Sequence, residues 1–461
     1  MRTIIKSVQG TWARFRRDAR GNASIFFTIG TLAVVGGVGV AVDTSVAYNV
    51  RSQLAAAVDA AALAGARNYA SPTRDQDIQR FFDANFQSDY MGAVLEPLQI
   101  TPDDENRTIT VTAKATIPTF FMSALGTDYT DVAATAEATL SSRDVEVSLV
   151  LDVTGSMAGQ RITDLRAAAN ELVDIVVQDI QDPFYSKVAI VPYSMGVNVG
   201  AYADQVRGTY TNNTCTYPAE PTCRYFQFRR ASDNSWTTHE ISTCVTERSG
   251  ANLSTDAAPN VAPLGRNFPP PGSYNPCLAP TIVPLTSNKT TLHNSINALA
   301  AAGSTAGQIG VAWGWYMVSP NFGYLWPAAN RPSDYGAVTL GQEVLKVVIV
   351  MTDGVFNSIY FDGVIAQNST SGSGSSNYKI NQDSPNGNGH DQALALCTNM
   401  KTAGIKVYTV GFDVDESASA TSFVNNCATD AEHVYLPETG TELKQAFRDI
   451  ARQVSNLRIS M

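Results

Sequence analysis

Residues 24–42 read SIFFTIGTLAVVGGVGVAV, an uncharged apolar run of 19 residues. No other feature constrains the chain as strongly. About 20 apolar residues are what a helix needs to cross a bilayer, and a lone segment there must satisfy its own backbone polar groups, which a helix does. Arg2, Lys6, Arg14, Arg16, Arg17 and Arg20 precede the run; Asp43 follows it, with Arg51 as the only nearby base. Positive flanks stay cytoplasmic. The asymmetry therefore predicts a cytoplasmic basic N-terminus over residues 1–23, a transmembrane anchor over 24–42, and everything later outside the cytoplasm. A cleaved signal peptide is the rival reading, because SVA at 45–47 resembles a cleavage site; signal-peptide apolar cores are shorter, about 7–15 residues.

Residues 43–70 place apolar or small side chains at Ala47, Val50, Leu54, Ala57, Ala61 and Ala64, the repeat of one helical face. Alanine favours helix and lets a neighbour approach closely. Anchor and stalk together predict one helix of ~45 residues, roughly 70 Å long at 1.5 Å per residue. The pattern then changes. RTITVTAKATI alternates as a strand does, and DVAATAEATL offers a partner for it, so residues 71–140 read as a small α/β spacer domain built on the stalk.

The basic residues, RGN, the apolar run, AVD, a tyrosine and then RSQLAAAVDAAALAGA make the segment over about residues 14–66 resemble TadG-type proteins of tight-adherence (Flp) pilus systems. The resemblance implies a bacterial inner-membrane protein, single-pass, with its bulk periplasmic or surface-exposed. It implies other pilus-system or envelope proteins as partners. Phe26 stands where a mature type IV pilin cleaved after Gly21 would carry glutamate, so the segment does not read as a processed pilin subunit.

The 461 residues carry a formal net charge of −10, which argues against nucleic acid as a partner because phosphate binding needs a basic face. Six cysteines occur, none in a CxxC, beside only four histidines; disulfides in an oxidising compartment fit better than a zinc cluster. Cys397, in a predicted helix, and Cys427, in the next connection, read as a pair. Cys215, Cys223, Cys244 and Cys277 leave three pairings open.

From residue 144 to 460 strands and helices alternate. VEVSLVLD, KVAIVPYS, LKVVIVMTDG and IKVYTVGF are near-continuous apolar strands. Helical stretches such as ITDLRAAANELVDIVVQDI, GQIGVAWGWYMVS and HDQALALCTNMKTAG lie between them, and TIVPLTS reads as a short edge strand. Strands buried on both faces and joined by helices specify an α/β fold with a doubly wound, mostly parallel sheet, Rossmann-like in plan. Ligands of such sheets bind at the carboxyl ends of the strands, where Asp152 and Asp353 both sit. Thr154 and Ser156 follow Asp152 on the same loop, and Thr305 in GSTAGQIG approaches from another. Two carboxylates and three hydroxyls make a hard-oxygen site suited to Mg2+ or Mn2+, with coordination positions kept for water or a partner's carboxylate. Taken singly, Asp152 and Ser156 also read as helix caps and Asp353 as a turn residue.

Asp152, Thr154 and Ser156 on one loop, Thr305 on a second and Asp353 on a third resemble the metal-ion-dependent adhesion site of von Willebrand factor A (VWA) domains. Thr154 stands where that family has serine. The resemblance implies a VWA fold, those five residues as metal ligands, and a protein partner that presents an Asp or Glu to the ion. It implies a binding protein, not an enzyme. Two other classes fit the residues less well. A metal-dependent hydrolase or phosphatase would need a second carboxylate two residues after Asp152, where Thr154 stands, and a basic residue near the transferred charge; no Lys or Arg adjoins Asp152 or Asp353 in sequence. A VWA partner of an ATP-driven machine conflicts with an extracytoplasmic placement. Insertions at about 199–280 and 356–389 leave the carboxyl ends of their strands, which makes them a candidate rim selecting the partner. The second, rich in Gly, Ser and Asn, reads equally as an open surface loop.

Overall fold

One helix, α1 (Arg20–Arg67), carries both the apolar run and the stalk in 48 unbroken residues, about 70 Å at 1.5 Å per residue. No proline interrupts it. The computed structural model describes residues 20–67, 69, 71–104, 108–139, 143–217, 222–272, 275–339, 341–414 and 417–458. Of the basic N-terminus expected over 1–23, residues 1–19 lie outside the described residues. The chain divides into two units, Met1–Leu140 and Ser141–Met461.

In the first unit α1 changes character along its length. Phe26, Phe27, Ile29, Leu32 and Val34 are largely exposed, whereas Val50, Leu54, Ala57, Val58 and Ala61 are fully buried. The exposed part has the length and a mean hydropathy, 2.2, fit for crossing a membrane. The buried part packs with α2 (Arg74–Asn85) and an antiparallel sheet of β1 (Val94–Leu95), β2 (Gln99–Asp103), β3 (Thr108–Pro118) and β4 (Tyr129–Thr139). Along β3, Ile109, Val111, Ala113, Ala115 and Ile117 alternate inward onto this core, as the two-residue period of a half-buried strand requires. β3 and β4 pair in antiparallel register from Thr108↔Thr139 to Pro118↔Tyr129.

The second unit is built on a six-stranded sheet. Its strands are β5 (Val145–Asp152), β6 (Ser186–Tyr193), β7 (Val283–Thr286), β8 (Leu345–Thr352), β9 (Lys406–Gly411) and β10 (Val434–Tyr435), in spatial order β7-β6-β5-β8-β9-β10. All neighbours are parallel except the edge strand β7. Every residue of β5 and β8 is buried, which explains their continuous apolar runs: helices cover both faces. On one face lie α3 (Gln160–Val176), α4 (Lys289–Asn297) and α8 (Gly440–Arg458), packed on Val147, Leu149 and Leu151. On the other lie α5 (Gly307–Val318), α6 (Gly389–Thr402) and α7 (Ala418–Cys427), packed on Val150, Val348 and Val350. The doubly wound α/β class expected from the sequence is the fold observed.

All six cysteines form disulfides. Cys397–Cys427 ties α6 to α7 as expected, and the open pairings resolve to Cys215–Cys223 and Cys244–Cys277. The reading of residues 356–389 as an open surface loop is corrected. Residues Tyr360–Phe361 and Val364–Ile365 form a hairpin, and Val364 and Ile380 are buried with Phe226, Phe228 and Phe268 of the first insertion. Backbone bonds from Phe268 N to Gly363 O (2.8 Å) and Ala231 N to Lys379 O (2.9 Å) fasten the two together. A few apolar anchors fold the segment, and its polar average composition conceals them.

Candidate metal centre

β5 ends at Asp152, and the neighbouring β8 ends one residue before Asp353, so both carboxylates stand at the carboxyl edge of the sheet. Asp152 is fully buried and each of its oxygens is engaged. Oδ1 accepts from the amide (3.0 Å) and hydroxyl (2.7 Å) of Thr154; Oδ2 accepts from the hydroxyls of Tyr193 (2.8 Å) and Thr352 (3.1 Å) and the amide of Asp353 (3.4 Å). The Thr154 and Ser156 hydroxyl oxygens are 2.9 Å apart, and Ser156 Oγ donates to Asp353 Oδ1 at 2.8 Å. A continuous string of oxygens thus runs Asp152–Thr154–Ser156–Asp353.

Three loops meet to hold that string. The amide of Gly155 donates to Gly303 O (2.9 Å), and the amide of Ala302 to Val153 O (2.9 Å), joining the loop after β5 to the one before α5. Gly303 has φ +81°, and a Cβ there would stand 2.9 Å from Asn275 Oδ1, so this turn is reserved for glycine. Thr305 joins the third loop through its main chain. Its amide donates to Asn357 Oδ1 (2.9 Å), and its carbonyl accepts from the amides of Asn357 (2.9 Å) and Ser358 (3.1 Å). The structure therefore gathers Asp152, Thr154, Ser156 and Asp353 by direct side-chain contacts and brings Thr305 onto the same platform by backbone bonds.

The electrostatics favour a cation. Burial pushes the Asp152 carboxyl up, against hydrogen bonds from Thr154, Tyr193 and Thr352. Asp353 is raised to about 7 by burial and then by the Asp152 charge, with Ser156 and Arg161 pulling the other way. Two carboxylates desolvated side by side repel, and a hard dication is the natural relief for that repulsion. Among the described residues no group of three or more His, Cys, Asp or Glu is placed to hold a metal. The donor set here is two carboxylates with hydroxyls, and it fits a magnesium-type ion.

One expectation is corrected. No basic residue adjoins Asp353 in sequence, yet Arg161 Nη1 lies 3.4 Å from Asp353 Oδ2, and the same guanidinium pairs with Asp413. Arg161 is the second residue of α3, and the turn after β5 folds that helix start back over the site. Tyr193, Thr352 and Asn357 also escaped sequence reading. Tyr193 was the most accessible of them: it ends the strand KVAIVPY, and in the parallel register it stands opposite Asp152.

Residues 21–68 match the family described as putative Flp pilus-assembly TadE/G-like. No curated protein matches the chain. Among solved structures, the vWF domain of the type V pili tip protein Mfa5 from Porphyromonas gingivalis is 14% identical at a TM-score of 0.37, covering 69% of this chain and 97% of that one. The pilus adhesin SpaC from Lactobacillus rhamnosus GG is 11% identical at 0.36, covering 79% and 35%. The pilus adhesin RrgA from Streptococcus pneumoniae is 12% identical at 0.38, covering 78% and 49%. The chain thus spans a third to a half of the length of these two adhesins. Its fold class rests on strand order and helix placement rather than on those likenesses. The chain thus carries, over residues 21–68, a segment similar to the TadE/G-like Flp pilus-assembly family, followed by an α/β domain with a doubly wound, mostly parallel sheet.

Proposed function

We propose that this chain is a membrane-anchored binding protein of a tight-adherence pilus system, with its larger unit outside the cytoplasm. In this reading Asp152, Thr154, Ser156, Thr305 and Asp353 hold Mg2+ or Mn2+, and the ion accepts an Asp or Glu from a protein partner. The observation that carries it is the oxygen string Asp152–Thr154–Ser156–Asp353, whose successive oxygens are 2.7–2.9 Å apart beside two carboxylates that burial has raised. When bound, the ion supplies the positive charge that a partner carboxylate meets. The chain's own residues do the rest. Tyr193 and Thr352 fix the far oxygen of Asp152, while Asn357 and Gly303 hold the loops that carry Thr305 and Ser156 in register.

Binding rather than catalysis is supported by the loop after Asp152. A phosphatase acting through Asp152 would carry a second carboxylate two residues after its nucleophile, and that place holds Thr154, whose hydroxyl donates to Asp152. Threonine in place of serine at 154 keeps the hydroxyl in use: it donates to Asp152 and meets Ser156. The N-terminal run is read as the inner-membrane anchor, with the basic flank cytoplasmic.

The test is capture of partners from envelope extracts by the full chain in detergent, with magnesium or with chelator, comparing wild type and Asp152→Ala. The expected result is a partner set retained only by wild type with magnesium. Recovery of the same proteins under all conditions would refute the adhesion-site reading.

A further inference from the structure

The loop joining β3 to β4, residues 119–128, is uncharged up to the exposed Asp128 at its end, and it is fastened to α1 at the end of the apolar run. Residues 119–127, TFFMSALGT, carry no charge. Phe120 is 78% exposed, Phe121 47%, Leu125 72%, and Tyr129 at the start of β4 66%. So much large apolar surface on one short loop marks an interaction site.

What holds the loop is Asp43, the first charge after the run. Its buried carboxylate accepts from the amides of Phe120 (3.2 Å), Phe121 (2.9 Å) and Met122 (2.7 Å). Burial raises that carboxyl, and the three amides together outweigh burial and hold it below the usual carboxylate range. One turn earlier on the same face of α1 stands Gly39. A Cβ at this position would fall 2.5 Å from Phe121 Cβ, so the phenylalanine lies directly against the helix backbone. From Asp43 back to Gly39 the helix runs roughly 6 Å toward the middle of the apolar run. Val38 and Val42, beside these positions, are themselves exposed.

We propose that this loop is a second membrane contact: Phe120, Phe121 and Leu125 enter the lipid leaflet on the Asp43 side, alongside the transmembrane part of α1. This rests on reading residues 24–42 as the anchor. Lipid is the occupant because Phe121 lies against Gly39 inside that span, beside the exposed Val38 and Val42. The reach of roughly 6 Å past Asp43 also matches the ~5–10 Å to which interfacial apolar faces sink. Asp43 is then a positioning residue: it ties the loop to the helix where the run ends. Helix and loop together would fix how the spacer leaves the membrane.

Every native cysteine is in a disulfide, so a single introduced cysteine takes a nitroxide label selectively. Phe120→Cys and Leu125→Cys are chosen because both side chains are exposed, and surface substitutions seldom unfold a protein. The full chain is reconstituted in phosphatidylethanolamine–phosphatidylglycerol vesicles. Collision of each label with oxygen, which favours lipid, is compared with collision with a water-soluble nickel chelate. Ile29→Cys in the run and the exposed Val261→Cys in the second unit are references. The proposal expects the oxygen-to-nickel ratio at 120 and 125 to shift from the Val261 value toward the Ile29 value. A Val261-like ratio at both, with Ile29 in lipid, overturns it and leaves the anchor standing. Shielding of 120 and 125 from both reagents assigns the patch to protein, such as a second copy, and also overturns it. An Ile29 label as open to nickel as Val261 overturns the anchor and this inference together.

Discussion

Replacing Lys346 by methionine is expected to destabilise the second unit by about 3–5 kcal/mol, the usual cost of stranding one half of a buried ion pair. Lys346 on β8 and Glu146 on β5 face each other in register, with 5% and 0% side-chain exposure, and form an ion pair. Lys346 also donates to Val318 O (2.9 Å) and Ser333 O (2.7 Å), while Glu146 accepts from Tyr185 Oη (2.9 Å) and the Ser333 amide (2.7 Å). Burial alone would lower the lysine and does so; the Glu146 charge opposes that shift. With methionine at 346 the carboxylate keeps its neutral donors and loses its counter-charge. Combining the change with Glu146→Gln removes the orphaned charge and should restore much of the loss. The pair sits near the start of β5, six residues from Asp152, on the order of 20 Å at ~3.3 Å per residue. Metal affinity of the folded protein should therefore be unchanged. Urea unfolding checks the first statement; a loss below about 1 kcal/mol in the single variant would contradict the account of the pair.

The second large effect is a pH dependence seated in the insertions. Glu247, in the first insertion, accepts the amide of Tyr360 in the second at 2.8 Å through Oε1, while its Oε2 is buried without a hydrogen-bond partner. Burial raises this carboxyl to about 7, with the Tyr360 amide pulling against it. A folded-state value above the unfolded one means the folded protein holds the proton more tightly. The associated stability is full below about pH 4 and is lost as pH rises through about 7. Glu247→Gln carries a permanent neutral group in the same place. Between pH 5 and 7 wild type should lose about 1 kcal/mol per pH unit relative to that variant, near the slope for one proton. Asp353, also raised to about 7, is present in both proteins and cancels. Parallel pH profiles of wild type and Glu247→Gln would show that the inter-insertion contact is solvated and carries no such linkage.

Elements whose signal is local were readable from the residues. Residues 24–67 spell one helix because apolar run and alanine face share the helical period; β5 and β8 are continuous apolar runs because helices cover both faces of the sheet. Asp152 and Asp353 were legible as strand-end carboxylates, and Thr154 and Ser156 by their place on the same loop. What stayed hidden depends on register and on folding at a distance. Tyr193 reaches Asp152 only because β5 and β6 are parallel in one register. Arg161 reaches Asp353 only because α3 begins over the sheet edge. Asp43 read as the charge that ends a membrane run, and its three amide partners come from nearly 80 residues downstream. The second insertion misled because average composition counts Gly and Ser, whereas its fold is set by Val364, Ile365 and Ile380.

In the proposed function the sheet edge binds a divalent ion through Asp152 and its neighbours. The most direct measurement is titration of the full chain in detergent with Mn2+, reading free ion by electron paramagnetic resonance, for wild type, Asp152→Ala and Lys346→Met. The expected result is one bound Mn2+ per wild-type chain, displaced by excess Mg2+, kept by folded Lys346→Met and lost in Asp152→Ala. Absence of binding by folded wild type, or equal binding by wild type and Asp152→Ala, would contradict it.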